Sequence, residues 1–282
     1  MIYIATIHWK DDRWIKLQHE FLRKNIHEPY QVFAYLNGIS KELYQYFDHF
    51  NDNDDPPHAQ KLNILAQDIL RQSQDLSDVI IFLDGDAFPI APLDQWIHSN
   101  LIEYPLIAVQ RTENVGGIQP HPCFCASTVG FWKTHSPDWS EGYTWKGLNG
   151  LPTTDVGAGI LELLIRKQIP WKPLLRTNAL NLHLLLFGIY DDLIYHHGAG
   201  FRAPVLYRDN LLTIRVTHNQ VIRFFKKILP GPFRQFIKHP FLYLLGRSRE
   251  KRIQKNTVLS ENAFRSLMTD PDRFIAKLQS GK

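Results

Sequence analysis

The sequence predicts an α/β fold: a mixed, mainly parallel sheet flanked by helices, followed by a basic helical C-terminal tail. Three observations predict it. Strand-like and helix-like segments alternate from the first residue to Leu83, the pattern that favours parallel strand pairing. The strand Val79–Leu83 is apolar at every position, as a strand covered on both faces must be. Positive charge is concentrated late. Between Leu211 and Lys255 five lysines and six arginines face one acid, Glu250, although the whole chain of 282 residues carries only +4. The rest is therefore mildly acidic, and the split places a domain at residues 1–208 and a basic, mainly helical appendage at 209–282.

Each element has its own signal. Ile2–Ile7 reads as the first strand. Trp14, Leu17 and Phe21 recur at helical spacing, so residues 11–26 read as a helix. Tyr30–Leu36 is a second strand, closed by the turn pair Asn37-Gly38. The acidic, proline-ending loop NDNDDPP at 51–57 precedes a helix from His58 to Gln72, whose core face carries Leu62, Leu65 and Ile69. Its start shows His58, Lys61 and Asn63. Val79–Leu83 follows as a strand. Leu106–Gln110 reads as a strand, Cys123–Trp132 is rich in strand formers, Asp155–Lys167 reads as a helix, and Trp171–Leu175 as a strand. Residues 194–204, IYHHGAGFRAP, read as a loop.

Composition narrows the function classes. A hydrophobic content of 44% supports a sizeable core, and seven Trp, eleven Tyr and seventeen Phe leave aromatics over for a binding surface. The two cysteines, Cys123 and Cys125, stand too close for an ordinary disulfide, which fits a reducing compartment. The start MIYIATIHWKDD lacks a basic leader and the length of a signal peptide. No apolar run approaches the roughly 20 residues of a spanning helix. The expected location is the cytoplasm.

The stretch IIFLDGDAFPI, residues 80–90, carries the strongest chemical signal. An apolar strand runs into Asp84-Gly85-Asp86, and Pro89 marks its end. Residues i and i+2 of a strand share a side, so both carboxylates face one spot. Leaving them there uncompensated would cost roughly several kcal/mol each. The carboxyl end of such a strand is where open α/β sheets take ligands, and paired oxygens suit Mg²⁺ or Mn²⁺ bridging phosphates. Gly85 allows a ligand or backbone to approach closely. The alternative is a solvated turn with two incidental acids. His196 and His197, in a glycine-flanked HHGAG, could add an imidazole to such a cation; otherwise they are surface histidines. Asp155, in TTDVGAG, is either a general base or, with Thr154, a helix cap. Lys61, Asn63 and Arg111 are candidate donors to a diphosphate. Zinc at His121, Cys123 and Cys125 is disfavoured, since three ligands on one strand face leave the tetrahedron open. No phosphate-binding loop, dinucleotide fingerprint or nucleophile elbow occurs.

The order of these motifs resembles a glycosyltransferase of the GT-A, nucleotide-diphospho-sugar transferase fold: Ile2–Ile7, LDGD, FCASTVGFW, TTDVGAG and HHGAGFRAP. The last resembles the H-x-x-G-x-x-K-P signature of glycogenin-like, family-8 enzymes through His197, Gly200 and Pro204. Arg202 is followed there by Ala203 before the proline, which leaves His196 and His197 both open as the metal ligand. The resemblance spans residues 1–208. It implies a nucleotide-sugar donor, a saccharide or glycolipid acceptor, and Mn²⁺ or Mg²⁺. It also implies Asp86 as a metal ligand, Asp84 on the metal or the ribose, and Thr6 and His8 beside the nucleotide. Asp155 falls where inverting members carry their base; a retaining member would hold the acceptor there.

The tail adds a surface. In VIRFFKKIL, Val221, Phe224, Phe225 and Ile228 line one helical face, while Arg223, Lys226 and Lys227 lie opposite. Such a helix fits an anionic membrane surface, which places residues 221–252 at the inner membrane face. The alternative is a helix packed on the domain or on a second copy. Nucleic acid is not an expected partner. Two rival functions remain: a haloacid-dehalogenase-like phosphohydrolase, which also begins with an apolar strand and D-x-D, and a non-enzymatic, membrane-associated carbohydrate-binding protein.

Overall fold

A computed structural model of the chain describes residues 1–114, 116–148, 150–198 and 249–281. The chain divides into two compact units, residues 1–201 with 275–282, and residues 202–274. The expected domain boundary near Asp209, residues 221–248 of the expected membrane face at 221–252, and the signature residues Gly200, Arg202 and Pro204 lie outside the described residues.

The first unit is built on a seven-stranded sheet. Its strands are β1 (Ile2–Trp9), β2 (Tyr30–Asn37), β3 (His49–Asn51), β4 (Val79–Asp84), β6 (Leu106–Val109), β7 (His121–Thr128) and β10 (Trp171–Leu174), in the order β10-β6-β7-β4-β1-β2-β3. Four neighbouring pairs are parallel, and β7 runs antiparallel to both β4 and β6. This is the mixed, mainly parallel sheet that the sequence predicts.

Helices cover both faces, and the strand residues sort accordingly. Ile2 and Ile4 of β1 and Val79, Ile81 and Leu83 of β4 pack with α1 (Ile15–Asn25) and α3 (Asp94–Leu101). Tyr3, Ala5 and Ile7, with Ile80 and Phe82, pack on the other side with α2 (His58–Gln72), α4 (Val129–His135) and α5 (Ala158–Lys167). Alternate residues therefore point to opposite faces, yet both sets are apolar, because neither face meets water. Each buried Ile, Val, Leu or Phe among them gains roughly 1.5–3 kcal/mol from burial.

Several elements differ from expectation for local reasons. Helix α1 begins at Ile15, not residue 11, after a turn in which Asp11 binds the Arg13 side chain. The strand-forming run 123–132 divides at Thr128, whose hydroxyl accepts the Phe131 N–H at 3.1 Å and starts α4; Val129, Phe131 and Trp132 are buried as helix residues. Helix α5 begins at Ala158 because Gly157 takes a left-handed φ of 92°. Residues 194–196 form a strand instead of a loop. This β12 (Ile194–His196) pairs antiparallel with β5 (Ala87–Pro89) and with β11 (Gly188–Tyr190) in a separate three-stranded sheet. Pro89 ends β5, while β4 stops at Asp84. A short hairpin joins β8 (Trp145–Lys146) to β9 (Pro152–Thr153).

Two helices close the chain, α6 (Arg249–Thr269) and α7 (Pro271–Ser280). Asp270 caps α7 by accepting the Arg273 N–H at 3.0 Å, with Pro271 in the first helical position. Leu278 is buried, and its carbonyl accepts the Leu180 N–H at 2.9 Å, so the end of α7 belongs to the first unit. Among the described residues, no helix is long and apolar enough to cross a membrane.

Candidate metal centre

The chain leaves β1 for β2 and β3 on one side, then returns to add β4 on the other. Parallel strands that diverge in this way open a crevice at their carboxyl ends, the place where such sheets bind ligands. Ile7 of β1 pairs with Asp84 of β4 at that point.

Gly85 follows from this packing. A Cβ there would stand 2.5 Å from the Ile7 carbonyl oxygen and 2.7 Å from His8 Nδ1. The space that glycine frees is taken by the β1 backbone and the His8 ring, not by a ligand. The chain then turns so that Asp84, half-buried, and Asp86, buried, face one cluster.

The strand β12 supplies the third group. Its register sets His196 opposite Ala87, beside both carboxylates. His196 Nε2 lies 3.4 Å from Asp86 Oδ1 and 3.6 Å from Asp84 Oδ2. One donor atom from each of Asp84, Asp86 and His196 falls within 4.8 Å of the others, and among the described residues no other trio of such side chains does so. Asp86 is further tied to the β12 segment: its Oδ2 accepts the Gly198 N–H at 2.9 Å and its carbonyl accepts the His197 N–H at 3.0 Å. Burial by itself opposes ionisation of Asp86. The His196 imidazole and the Gly198 N–H outweigh it and hold the carboxyl below the usual range. Asp86 is therefore an anion at neutral pH.

The donor set fits a divalent cation. Two carboxylates and one imidazole are hard to borderline ligands, the mixture that Mn²⁺ accepts. Asp84 Oδ1 is buried and has no hydrogen-bond partner, although two carboxylates so placed call for a positive charge.

Of the two histidines, the structure brings His196 to the carboxylates. The His197 ring sits 4.5 Å from Trp14 and 4.8 Å from Phe187, centre to centre, with Nδ1 3.0 Å from the Tyr195 hydroxyl. It is fully buried, and desolvation pushes it down to about 3, so it is a neutral core residue. His8 is likewise buried, lowered by desolvation to about 4. His8 Nε2 and Thr6 Oγ1 both meet Gln18 Oε1 at 3.2 Å and do not line open space.

The other sequence candidates are engaged elsewhere. Lys61 is buried, with Nζ 2.5 Å from Asp55 and within 5.5 Å of the Trp9 and Tyr35 rings. Asn63 donates to Asp138 and accepts from the Trp139 N–H. Arg111 is buried against Glu113, Tyr190 and the Leu185 carbonyl. Asp155 does not cap α5: the cap is Gly157, and Asp155 Oδ1 accepts its neighbour's N–H at 3.1 Å. A Cβ on Gly157 would overlap the Pro120 carbonyl, so this turn presses on the residue before His121. The His121 ring lies 5.8 Å from that of His196. Cys123 and Cys125 are buried free thiols whose ionisation burial opposes, and the cation-type cluster omits them.

Two residues that sequence reasoning did not select stand at the site. His58, the first residue of α2, places Nε2 3.4 Å from Asp84 Oδ1. Its position at the end of the acidic loop was the visible signal. Gln18 is fully buried on α1; the signal was a polar residue on the stripe formed by Ile15 and Leu22.

The fold and site together define an open α/β protein with a candidate cation centre at its strand-order switch point. No protein-family model matches the sequence, and no curated protein matches it. Solved structures show distant likeness. TarS from S. aureus is 10% identical over 49% of this chain and 30% of its own, with a TM-score of 0.37. Its 1–349 structure is matched over 50% of its length, with a TM-score of 0.36. The mannosyltransferase PcManGT from Pyrobaculum calidifontis, solved with GDP-Man and Mn²⁺, is 14% identical over 99% of this chain and 79% of its own, with a TM-score of 0.42.

Proposed function

We propose that the protein is a metal-dependent glycosyltransferase that moves a sugar from a nucleotide-sugar donor to a saccharide or lipid-linked saccharide. The observation that carries this reading is the convergence of Asp84, Asp86 and His196 at the carboxyl ends of β1 and β4. The cation they would hold is Mn²⁺ or Mg²⁺, and it would supply charge stabilisation to a departing nucleoside diphosphate.

The residues divide the remaining work. Asp84, Asp86 and His196 hold the centre, and Thr6 and His8 support it from the end of β1 through Gln18. Lys61 is proposed to meet the diphosphate; its present partner, Asp55, is an exposed carboxylate that a diphosphate can replace. Asn63 and Arg111 act through position, since their polar atoms already have protein partners. Asp155 is proposed to take the acceptor hydroxyl proton as a general base, or to hold the acceptor if the configuration is retained. The two carboxylates of the D-x-D motif share one cluster, so they do not form the pair of acids that flanks a bond in glycoside hydrolases, about 5 Å or more apart. The basic segment 221–252 is proposed to meet the anionic inner membrane face, which suits a glycolipid acceptor.

The test is incubation with UDP-, GDP- and dTDP-sugars, Mn²⁺ and a panel of saccharide and glycolipid acceptors. Sugar transfer that Asp86→Ala abolishes is the expected result. Phosphate release from simple phosphomonoesters, without turnover of any sugar nucleotide, would replace this reading with the phosphohydrolase. Full biological activity in Asp86→Ala would replace it with a carbohydrate-binding protein.

A further inference from the structure

We infer that Gln18 is a positioning residue for the cation centre: its side-chain amide clamps both ends of the turn that carries Asp84 and Asp86. The inference rests on the metal reading above. One amide hydrogen of Gln18 goes to the Asp84 carbonyl at 2.9 Å and the other to the Ala87 carbonyl at 2.8 Å. Its oxygen lies 3.2 Å from Thr6 Oγ1 and 3.2 Å from His8 Nε2. All four hydrogen-bonding positions of the amide are filled, and the side chain is fully buried.

The chemistry of the partners sets the orientation. Backbone carbonyls only accept, so the nitrogen of Gln18 must face Asp84 and Ala87. Its oxygen then faces β1 and must receive hydrogens there. Thr6 donates its hydroxyl hydrogen, and His8 donates from Nε2, which fixes the tautomer of a ring that burial keeps neutral. One side chain thus joins α1, the end of β1 and the turn after β4. The bonded carbonyls belong to Asp84 itself and to the residue after Asp86. A rotation of either peptide plane would move a carboxylate relative to His196. Groups that orient metal ligands in this way change metal affinity about 10–100-fold when removed.

A buried, satisfied glutamine could instead contribute stability alone. Asn25 separates the two roles. It lies on the same helix, is also buried, and donates to the Phe21 carbonyl at 3.1 Å and the Pro89 carbonyl at 2.8 Å. It holds the far end of β5 and touches neither aspartate's peptide.

The experiment is titration with Mn²⁺ alone, read from the electron paramagnetic resonance of the free ion, on the full chain and on Asp86→Ala, Gln18→Met and Asn25→Leu. Circular dichroism and a melting curve accompany each variant. Gln18→Met is expected to weaken Mn²⁺ binding about 10-fold or more, while Asn25→Leu lowers the melting temperature and leaves affinity within about twofold. Wild-type affinity in Gln18→Met, with binding lost in Asp86→Ala, overturns the clamp and leaves the metal reading intact. Equal weakening in Asn25→Leu also overturns it, since general loosening would then suffice. No Mn²⁺ binding by the unaltered chain, or unchanged binding in Asp86→Ala, removes the metal reading and the clamp with it. If Gln18→Met does not fold, Thr6→Val decides: it deletes one donor that orients the amide, and a several-fold loss of affinity supports the clamp, whereas wild-type affinity overturns it.

Discussion

His196 Nε2 stands 3.4 Å from Asp86 Oδ1 because β12 lies antiparallel to β5, with His196 opposite the residue that follows Asp86. The same pairing turns His197 inward to Trp14 and Phe187. Adjacent strand residues point to opposite sides, so one histidine of the pair is given to the site and the other to the core.

That alternation separates two substitutions. His196→Ala is expected to weaken Mn²⁺ binding by about 10-fold or more, with some loss of stability because the buried ring also supports the Asp86 carboxylate. His197→Ala is expected to lower stability by about 2–4 kcal/mol, as large-to-small changes in a packed core do. Urea denaturation and Mn²⁺ titration of both variants check the pair. Equal effects on both measurements would contradict the division.

Addition of Mn²⁺ is expected to raise the melting temperature, and a chelator to reverse the rise. A ligand present at 100 times its dissociation constant stabilises by about 2.7 kcal/mol when it binds only the folded state. Asp86→Ala should show no shift. A melting temperature insensitive to Mn²⁺, Mg²⁺ and chelator alike would argue against the centre.

Gly85→Ala is expected to destabilise the fold by at least about 1–3 kcal/mol, the usual cost of forcing extra volume into a packed site. The added carbon would meet the Ile7 carbonyl at 2.5 Å, a backbone atom of a central strand that cannot move aside cheaply. Chemical denaturation checks it. A neutral result would mean that the turn after β4 adapts more easily than its packing indicates.

His19 provides a pH dependence away from the cation centre. It is buried beside Tyr46 and Phe47; desolvation, and then the charge of Arg23, lower it from 6.5 to about 4, with Asp48 opposing. Above pH 6.5 the ring is neutral in both folded and unfolded chains. As pH falls from 6.5 to 4 the unfolded chain binds a proton that the folded chain resists, so stability declines, by at most about 3 kcal/mol from this residue. Below 4 its contribution levels off. His19→Leu should flatten the stability profile over that window, and His8 and His197 should account for part of the slope that persists. An unchanged profile would show that His19 is not held neutral by the fold.

Much of the architecture was legible in the residues. The α2 helix runs from His58 to Gln72 as its apolar spacing implies, and the all-apolar run ahead of Asp84 is a central strand covered on both faces. Asp84 and Asp86 declared themselves because two acids after such a strand need a compensating charge. The short strands were not legible. β5 and β12 have three residues each, too few for a periodicity to show, and they exist because they pair with one another. Residues 194–196 therefore read as a loop. Thr128 overrode the strand-forming composition of the residues after it by capping a helix.

Local sequence thus determined the central strands, the long helices and the presence of two carboxylates at a strand end, because hydrophobic period and unpaired charge are properties of neighbouring residues. Tertiary structure decided which groups meet those carboxylates. Pairing of β12 with β5 selected His196 over His197, the start of α2 brought His58 to Asp84, and packing of α1 turned Gln18 from a polar interruption in an apolar stripe into the partner of Asp84 and Ala87. Lys61, Asn63 and Arg111 have the residue types that suit a diphosphate, yet their bonds go to Asp55, Asp138 and the Leu185 carbonyl. Buried polar groups take whatever partner the fold places within reach, and long-range contacts set that partner.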